Sequence, residues 1–360
     1  MRIFDVAIIG AGPAGSTCAI LAARAGLDVL LLDRSLFPRH KVCGDCLNPS
    51  CWDVFDVLGV SAAVRCLPHE RLHAVSFESA DGSGTEIALP GGDRGEITAL
   101  REDLDALLLA EATRTGATVR QGARVRQVAR LGSHWALDTE DGSHIAARIV
   151  GADGRNSTLC RLLRIAPTHS ARRVALQAHV RLDERYRHRV ALRLLPEGYC
   201  GIAHLPEERM NLCLVSAPND LTAVRSWAES TFGLPPAETR WHSIAPLSRK
   251  PVSPTPVPGI LLVGDAARVV EPFTGEGISY ALKTGALAAA ALAAMAKDPS
   301  QERRALATFR QGCRATFRDR LWVNHLARAA VTRPGIGRAA LSIGSAYPNV
   351  LRLLTAKIAR

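Results

Sequence analysis

The apolar positions at the start of the chain predict a nucleotide-binding βαβ unit. The run IFDVAIIG at residues 3–10 is typical of a buried parallel strand. A glycine-rich turn and the helical segment STCAILAARAG follow it, and a second apolar run, DVLLLD, ends at Asp33. Strand, turn, helix and strand within about thirty residues form one βαβ unit.

Helical and strand patterns then alternate. Residues 98–116 have helical periodicity, with Thr98 as the expected N-cap and Gly116 as the stop. Residues 117–150 consist of short segments separated by glycine-containing turns, which predicts a β-meander. Residues 170–246 resemble antiparallel strands followed by the helix LTAVRSWAESTFG, and another apolar strand, GILLVGDAA, begins at Gly259.

These patterns predict an α/β protein built from two domains and a tail. The Rossmann-like nucleotide-binding domain is discontinuous and takes in residues 1–70, 96–165 and 251–300. An antiparallel-sheet domain for the substrate comprises residues 71–95 and 166–250. Residues 301–360 form a basic C-terminal helical segment.

Composition and charge narrow the class of protein. The chain has 360 residues, 47% apolar and 22% charged, which is ordinary for a globular protein with a sizeable core. The net charge of +11 is spread over every segment without an aromatic-interleaved basic stripe, so nucleic-acid binding is not expected. No apolar run reaches membrane-spanning length, no signal peptide is expected, and nine irregularly spaced cysteines favour a reducing, cytoplasmic setting.

A glycine motif lies between the first strand and helix. Gly10, Gly12 and Gly15 form GxGxxG, in which the first glycine permits the turn and the second allows close approach of a pyrophosphate. The third lets the helix pack near the strand, so that helix N-terminal amides face the phosphates. Asp33, about twenty residues further on, is placed to accept a ribose hydroxyl. The motif alone does not distinguish FAD from NAD.

Three further segments carry a resemblance to a known family. GADGRNSTLCR at 151–161, LLVGDAARVVEPFTGEGISYAL at 262–282 and LREDLDALL at 100–108 resemble motifs of the FAD-dependent hydroxylase and geranylgeranyl reductase superfamily. The resemblance spans most of residues 1–295 in the expected order. It implies an FAD-dependent oxidoreductase, with NAD(P)H as reductant and a small lipophilic substrate.

The resemblance also implies which residues bind FAD. Asp265 would accept a ribityl hydroxyl, Arg101 would reach phosphate or ribityl oxygens, and the helix beginning near Gly277 would point its positive end at the reduced flavin. A surface arginine and a turn aspartate are the alternatives for Arg101 and Asp153. The full set of predicted FAD-binding residues is Gly10, Gly12, Pro13, Ala14, Gly15, Asp33, Arg34, Lys41, Arg101, Val125, Asp153, Gly154, Gly264, Asp265, Pro272, Gly275, Gly277 and Ile278.

The segment KVCGDCLNPSC concentrates three cysteines, Cys43, Cys46 and Cys51. Zinc needs about four ligands, and this spacing matches no zinc finger, so no metal site is expected. A redox dithiol would need a second nucleotide domain and a C-terminal base, which the pattern does not favour. KVCGD resembles the segment of geranylgeranyl reductases that crosses the flavin, which implies that Cys43 and Gly44 border the reaction cavity. Cys43 would be either a proton donor or only a small side chain in the cavity wall.

Two reactions are consistent with this family resemblance. In the hydroxylase interpretation, NAD(P)H reduces FAD and oxygen is inserted into an aromatic or polyketide-like substrate. In the ene-reductase interpretation, reduced FAD gives hydride to an isoprenoid double bond and Cys43 supplies the proton. The segment at 194–215 resembles a reductase strand pair, and its Tyr199 is a candidate catalytic residue or a packed core residue. The breadth of the hydroxylase class and the length of the chain favour oxygenation by a small margin.

The sequence leaves open which way one strand face points and whether the protein belongs to another functional class. Gln177, His179 and Arg181 alternate on one strand face, and the pattern favours solvent over the cavity for them. Halogenation is disfavoured because no lysine lies where it would be needed. The alternative of another class is a non-catalytic FAD-binding protein, or a membrane-peripheral protein whose basic C-terminal helices contact an anionic surface.

Overall fold

The computed structural model describes residues 2–166, 169–171, 173–245, 247–270 and 275–318. Its α-helices are α1 Pro13–Arg24, α2 Cys51–Leu58, α3 Ser61–Cys66, α4 Arg101–Arg114, α5 Thr158–Leu162, α6 Leu221–Thr231, α7 Gly277–Lys297 and α8 Glu302–Arg318. Its strands are β1 Ile3–Ile9, β2 Val29–Leu32, β3 Cys46–Leu47, β4 His69–Arg71, β5 Ala74–Glu78, β6 Gly84–Ala88, β7 Ile97–Ala99, β8 Thr118–Arg120, β9 Val125–Leu131, β10 His134–Thr139, β11 Gly142–Gly151, β12 His169–Ala171, β13 Val174–Arg181, β14 Arg189–Leu195, β15 Gly198–Leu205, β16 Arg209–Ser216, β17 His242–Ile244, β18 Ser248–Arg249 and β19 Ile260–Leu262.

The first sheet has a parallel core in the order β8, β2, β1, β11, β19. All four residues of β2 are buried, as expected for a strand covered on both faces. Helices α1, α4 and α7 cover one face, and their apolar side chains share a core with β1 and β2. The predicted Rossmann-like α/β fold is confirmed.

The predicted meander is present and extends the same sheet. Strands β9 and β10 pair antiparallel with each other, and β10 pairs with the first half of β11. The second half of β11 instead pairs in parallel with β1 and β19, so one long strand serves both parts. Strand β8, at the start of the predicted meander, lies apart from it beside β2.

A second sheet contains the strands from residues 74–88 and 174–244, in the order β17, β13, β16, β15, β14, β5, β6. Every pairing is antiparallel except that of β14 with β5. One face packs under α6 through a core that includes Tyr186, Leu212 and Val224. The other face is turned toward the nucleotide-binding domain, since its side chains reach the loop at Cys43.

A small sheet, β3–β7–β4, connects the two larger ones. The prediction that Thr98 caps a helix is wrong, because Thr98 belongs to this sheet. Thr98 lies within β7, and its hydroxyl donates to the carbonyl of His204 in the second sheet; α4 begins only at Arg101, after Leu100. The side chain of Thr98 is buried between two sheets, where a backbone carbonyl supplies its partner.

Helix α7 runs through the core of the nucleotide-binding domain. Gly285 of α7 lies so close to α1 that a Cβ there would be 2.3 Å from the carbonyl oxygen of Ala14. Among the described helices, α7 alone has the length and apolar composition to cross a membrane, yet 61% of its most apolar window is buried by the protein itself. Helix α8 packs against α7 through Phe309 and Phe317; residues 319–360 of the predicted tail lie outside the described residues.

Candidate active site

The glycine loop between β1 and α1 is fixed by backbone contacts. Gly10 has a φ of +101°, and a Cβ on it would be 2.5 Å from the carbonyl oxygen of Ala152. A Cβ on Gly15 would be 1.8 Å from the carbonyl oxygen of Gly10. Asp33 accepts the N–H of Ala11 at 2.8 Å, so its carboxylate also holds the loop in shape. Only glycine fits at the first and third motif positions.

Cationic side chains converge in front of this loop. The nearest atoms to a Cβ built on Gly12 are guanidinium nitrogens of Arg39 at 3.6 Å and Arg101 at 4.0 Å. Burial, together with the charges of Arg101, Arg155 and Arg39, lowers the pKa of Lys41 to about 8. Such crowding of positive charge beside a helix N-terminus favours an anionic group between them.

Arg101 is not the surface arginine of the alternative interpretation. Its guanidinium is only 11% exposed and donates twice to Asp105, at 3.0 and 2.8 Å, while Asp105 is fully buried. Arg39 reaches the same carboxylate at 3.3 Å. Asp105 therefore orients two guanidinium groups toward the glycine loop.

The second flavin motif contributes to the same cationic site, since its Arg155 is one of the charges that lower the pKa of Lys41. Asp153 accepts the N–H of Leu159 at 3.0 Å through one oxygen, and burial raises the pKa of its carboxyl group. Its other oxygen is buried without a hydrogen-bond partner among the described residues, and so is Nη1 of Arg155. Nη2 of Arg155 lies 3.5 Å from the carboxylate of Asp265. A polar ligand would satisfy these buried groups.

The remaining predicted FAD-binding positions fall into four groups. Pro13 and Ala14 are buried at the start of α1. Gly154, Gly264, Gly275, Gly277 and Ile278 lie in turns or at the start of α7. Arg34 is exposed, and Val125 is buried as the first residue of β9, where it packs in the core beneath the sheet. Pro272 lies outside the described residues.

Cys43 is half-buried in a loop that leads to Cys46 in β3. Burial raises the pKa of the Cys43 thiol, although the positive charge of Arg101 opposes the rise. The thiol therefore keeps its proton near neutral pH, while a cationic side chain lies near enough to stabilise a thiolate. All nine cysteines are free thiols, and burial raises the pKa of Cys51 to about 12.

Asp45 connects this loop to both domains. It has a left-handed φ of 57°, and its carboxylate is almost fully buried. One oxygen accepts the N–H of Arg101 at 3.3 Å, and the other lies 2.9 Å from Asn211 Nδ2 and 3.1 Å from His179 Nε2. The aspartate of the CGD segment was not singled out from the sequence, because its partners lie more than fifty residues away.

The face of the second sheet that meets this loop carries Gln177, His179 and Asn211. Gln177 and Asn211 are each only 1% exposed, and His179 contacts Asp45. The prediction that this strand face looks to solvent is therefore wrong for Gln177 and His179; Arg181, at the end of β13, is exposed. The loop itself shields these polar groups from water.

Further along the same face the side chains are apolar. Tyr199 is opposite Leu194 and Val215 in the register, and it packs with Ala175 and Leu192. Tyr199 is 2% exposed, so it lines this apolar region as a buried residue. The face thus has a polar end at the Cys43 loop and an apolar remainder.

A separate cluster lies between the small sheet and the second sheet. Glu70, His188 and His204 bring potential metal-ligating atoms within 4.8 Å of one another. However, Nδ1 of His204 already accepts the backbone N–H of His188 at 3.1 Å, which occupies the lone pair a metal would need. The cluster is explained by this hydrogen bond and the nearby carboxylate.

Fold and site together define a dinucleotide-binding α/β protein with a second, mainly antiparallel sheet. The cations, the glycine loop and the unpaired buried atoms of Asp153 and Arg155 fit the diphosphate and ribityl chain of FAD. A family model described as the FAD binding domain matches residues 4–198. The chain belongs to this FAD binding domain family and is an FAD-dependent oxidoreductase.

Relatives and solved structures agree with this assignment. The chain is 32% identical over 315 residues to a menaquinone reductase of Mycolicibacterium smegmatis, covering 79% of this chain and 75% of that protein. It is 31% identical over 310 residues to digeranylgeranylglycerophospholipid reductase 2 of Methanopyrus kandleri, covering 79% and 76%. The structure of pqsL from Pseudomonas aeruginosa, a probable FAD-dependent monooxygenase, matches with a TM-score of 0.78 at 20% identity, covering 93% and 98%. This last likeness shows the fold.

Proposed function

We propose that this oxidoreductase reduces a carbon–carbon double bond in the isoprenoid chain of a lipophilic substrate. The observation that carries the proposal is the half-buried Cys43 thiol beside the cationic site, where burial raises its pKa and the positive charge of Arg101 opposes that rise. The relatives with the named activities of menaquinone and digeranylgeranylglycerophospholipid reduction support it. Oxygenation, which the sequence favours by a small margin, is the alternative.

Bound FAD would supply hydride, and the chain supplies the proton. Reduction of an alkene adds one hydride and one proton, so a donor must hold a proton at neutral pH and release it into a cavity without bulk water. The raised pKa of Cys43 keeps the S–H intact, and the positive charge of Arg101 stabilises the sulfur once the proton has moved to carbon. Solvent returns that proton after turnover.

The apolar part of the second sheet would hold the isoprenoid chain. Tyr199, Leu192, Val215 and Ala175 form a cluster on the face that carries the Cys43 loop contacts. An apolar substrate gains about 25 cal/mol for each Å² that it buries there. On this proposal Tyr199 acts through packing against the substrate and Gly44 leaves room beside the flavin, since a Cβ on Gly44 would meet nothing within 4 Å.

The experiment is anaerobic. The bound FAD is reduced with dithionite under argon and mixed with geranylgeranyl diphosphate, while flavin absorbance and product mass are followed. Reoxidation without oxygen and a product two mass units heavier are expected. A product sixteen units heavier that forms only after admission of oxygen would establish the hydroxylase instead, and no substrate-dependent reoxidation under either gas would leave a non-catalytic flavoprotein.

We also propose NAD(P)H as the physiological reductant. The described part of the chain contains a single glycine-rich nucleotide loop, so the nicotinamide would bind transiently at the flavin cavity. Stopped-flow measurement of flavin reduction by NADH and by NADPH shows which of the two is the reductant. If neither reduces the flavin, a different electron donor is required.

A cytoplasmic location with peripheral contact to anionic membranes completes the proposal. The outer side of α8 exposes Arg303, Arg304, Arg314 and Arg318, which would attract anionic lipid headgroups. Sedimentation with vesicles of anionic and of neutral lipid tests it. Reversal of Arg303, Arg304 and Arg314 to glutamate should abolish binding to the anionic vesicles, and unchanged binding would contradict the role of this surface.

A further inference from the structure

We infer that Gln177 and Asn211 position the Cys43 thiol by a hydrogen-bonded clamp on the backbone of its loop. The inference rests on the proposed function only in giving Cys43 a catalytic role. The clamp itself is defined by contacts between the second sheet and the loop, and its test does not require turnover.

Gln177 pairs with both backbone groups of Cys43. The Cys43 N–H donates to Oε1 at 3.3 Å, and Nε2 donates to the Cys43 carbonyl at 2.7 Å. One side-chain amide thus contacts the residue as a neighbouring strand would, and fixes the plane of its peptide groups. Gln177 is buried, so water does not compete for these bonds.

Asn211 completes the clamp from the neighbouring strand. Its Nδ2 donates to the same Cys43 carbonyl at 2.7 Å and lies 2.9 Å from Asp45 Oδ2. Gln177 Nε2 also lies 3.2 Å from that Asp45 oxygen. Both amides therefore hold the carbonyl of Cys43 and the carboxylate of Asp45 toward the second sheet.

This arrangement decides where the sulfur points. Gln177 of β13 and Asn211 of β16 hold the Cys43 carbonyl, so the backbone of Cys43 is fixed to the second sheet, while its sulfur lies where the charge of Arg101, on the nucleotide-binding side, acts on its pKa. Asp45 is in turn fixed there by the N–H of Arg101. The orientation of the thiol is thus set jointly by the two domains.

The chemistry of the two side chains argues for positioning rather than packing. Burying an amide costs free energy unless its hydrogen bonds are made, and apolar residues of the same size would pack this sheet face without that cost. Here the donor groups of both amides are directed at the Cys43 carbonyl and the Asp45 carboxylate of one loop, and Asn211 Oδ1 alone of their polar atoms is buried without a partner among the described residues. The polar face is therefore matched to the loop and to no other element among the described residues.

Cysteine labelling tests the clamp directly on the FAD-loaded protein. The variants Gln177→Met and Asn211→Leu keep the approximate volume and remove the hydrogen bonds. Alkylation by iodoacetamide at pH 7.5, followed by peptide mass spectrometry, measures each cysteine separately. Exposed Cys66 is the internal rate standard. Cys18 and Cys313, which are buried in the core of the nucleotide-binding domain, report whether the fold is intact.

We expect Cys43 in both variants to react at least about fivefold faster relative to Cys66, because a released loop loses the burial that raises the thiol pKa. Cys18 and Cys313 should stay unlabelled. An unchanged Cys43 rate, or faster labelling of all three buried cysteines together, would overturn the inference.

A reciprocal exchange gives a second test. Asn211→Asp turns an acceptor toward both the Cys43 carbonyl and Asp45, and should accelerate labelling more than Asn211→Leu. Adding Asp45→Asn restores a donor to that contact and should slow the labelling again. A double variant that labels as fast as Asn211→Asp would contradict the part assigned to Asp45. If labelling follows these expectations while no alkene is reduced, the proposed function fails and the clamp stands.

Discussion

At the scale of the residue, the site depends on charges and protons held in unusual surroundings. Lys41 lies among three arginines, and Cys43 is a thiol whose pKa is raised by burial while the charge of Arg101 opposes the rise. The first arrangement favours an anion and the second favours proton donation. Each leads to a measurement in which one titrating group decides the outcome.

FAD affinity should fall as the pH rises through about 8, the pKa to which burial and neighbouring arginines lower Lys41. Below this pH the ammonium attracts the diphosphate, and above it the charge is lost. The expected increase in Kd between pH 7 and pH 9 is about threefold to tenfold, or roughly 1 kcal/mol. Titration of the apoprotein by quenching of FAD fluorescence measures it. Lys41→Arg, which does not titrate, should have a flat profile, and an identical slope in that variant would refute the assignment.

Replacing the proposed acid should slow reduction of the alkene without weakening FAD binding. Cys43→Ser carries a hydroxyl too weakly acidic to serve, so kcat is expected to fall about 100-fold. Cys46→Ser is the matched control, since the Cys46 thiol donates to the Gly44 carbonyl at 3.3 Å and a hydroxyl can do the same. Equal losses in the two variants, measured by anaerobic flavin reoxidation, would argue against Cys43 as the acid.

At the scale of the element, the geometry depends on how closely helices approach the glycine loop. Helix α7 crosses α1 at Gly285, where a Cβ would lie 2.3 Å from the Ala14 carbonyl oxygen. Gly264, just after β19, is also adjacent to Ala14, and Thr284 of α7 accepts its N–H at 2.9 Å. The third flavin motif is therefore packed directly against the first one.

Gly285→Ala should destabilise the protein by about 1–3 kcal/mol, because the new methyl group must displace helix backbone. Gly312→Ala in α8 is the matched comparison: the three atoms nearest to its Cβ would all belong to the Leu287 side chain, the closest at 2.9 Å. There the gain in helix propensity, about 0.5–1 kcal/mol, should offset the movement of Leu287. Guanidinium chloride unfolding measures both, and equal destabilisation would contradict the close approach of α1 and α7.

At the scale of the whole molecule, one dinucleotide would join segments that are distant in sequence. The glycine loop, the Lys41 segment, α4 and the Asp153 turn contribute to one cationic site. The second sheet contacts this side of the protein through the Cys43 loop, the small sheet and the stacked rings of His242 and His40. Cofactor and fold should therefore stabilise one another.

FAD at a hundred times its Kd should raise the free energy of unfolding by about 2.7 kcal/mol, which corresponds to roughly 4 °C in Tm for a chain of this size. Riboflavin, which lacks the diphosphate that the cations favour, should raise the Tm far less at the same concentration. Differential scanning calorimetry of the apoprotein tests this, and an equal shift with riboflavin would contradict the assignment of the cation cluster.

Several features followed from local sequence. Apolar runs flanking GxGxxG determine the first βαβ unit, because the period of buried strands and the steric freedom of glycine are properties of a few consecutive residues. The second and third flavin motifs follow instead from their resemblance to a known family. Thr98 shows the limit: its sequence context is that of a helix cap, but its hydroxyl bonds to His204 in another sheet.

The amino-acid sequence by itself determined the α/β class, the glycine loop and the motifs that imply FAD. Only the tertiary structure decided that Arg39 and Arg155 join Lys41 in one cationic site, and that Gln177 and Asn211 face the Cys43 loop rather than solvent. The physical reason is the separation along the chain over which each kind of interaction acts. Strand and turn preferences act between neighbours in the chain, whereas charge crowding and buried hydrogen bonds arise between segments that only folding brings together.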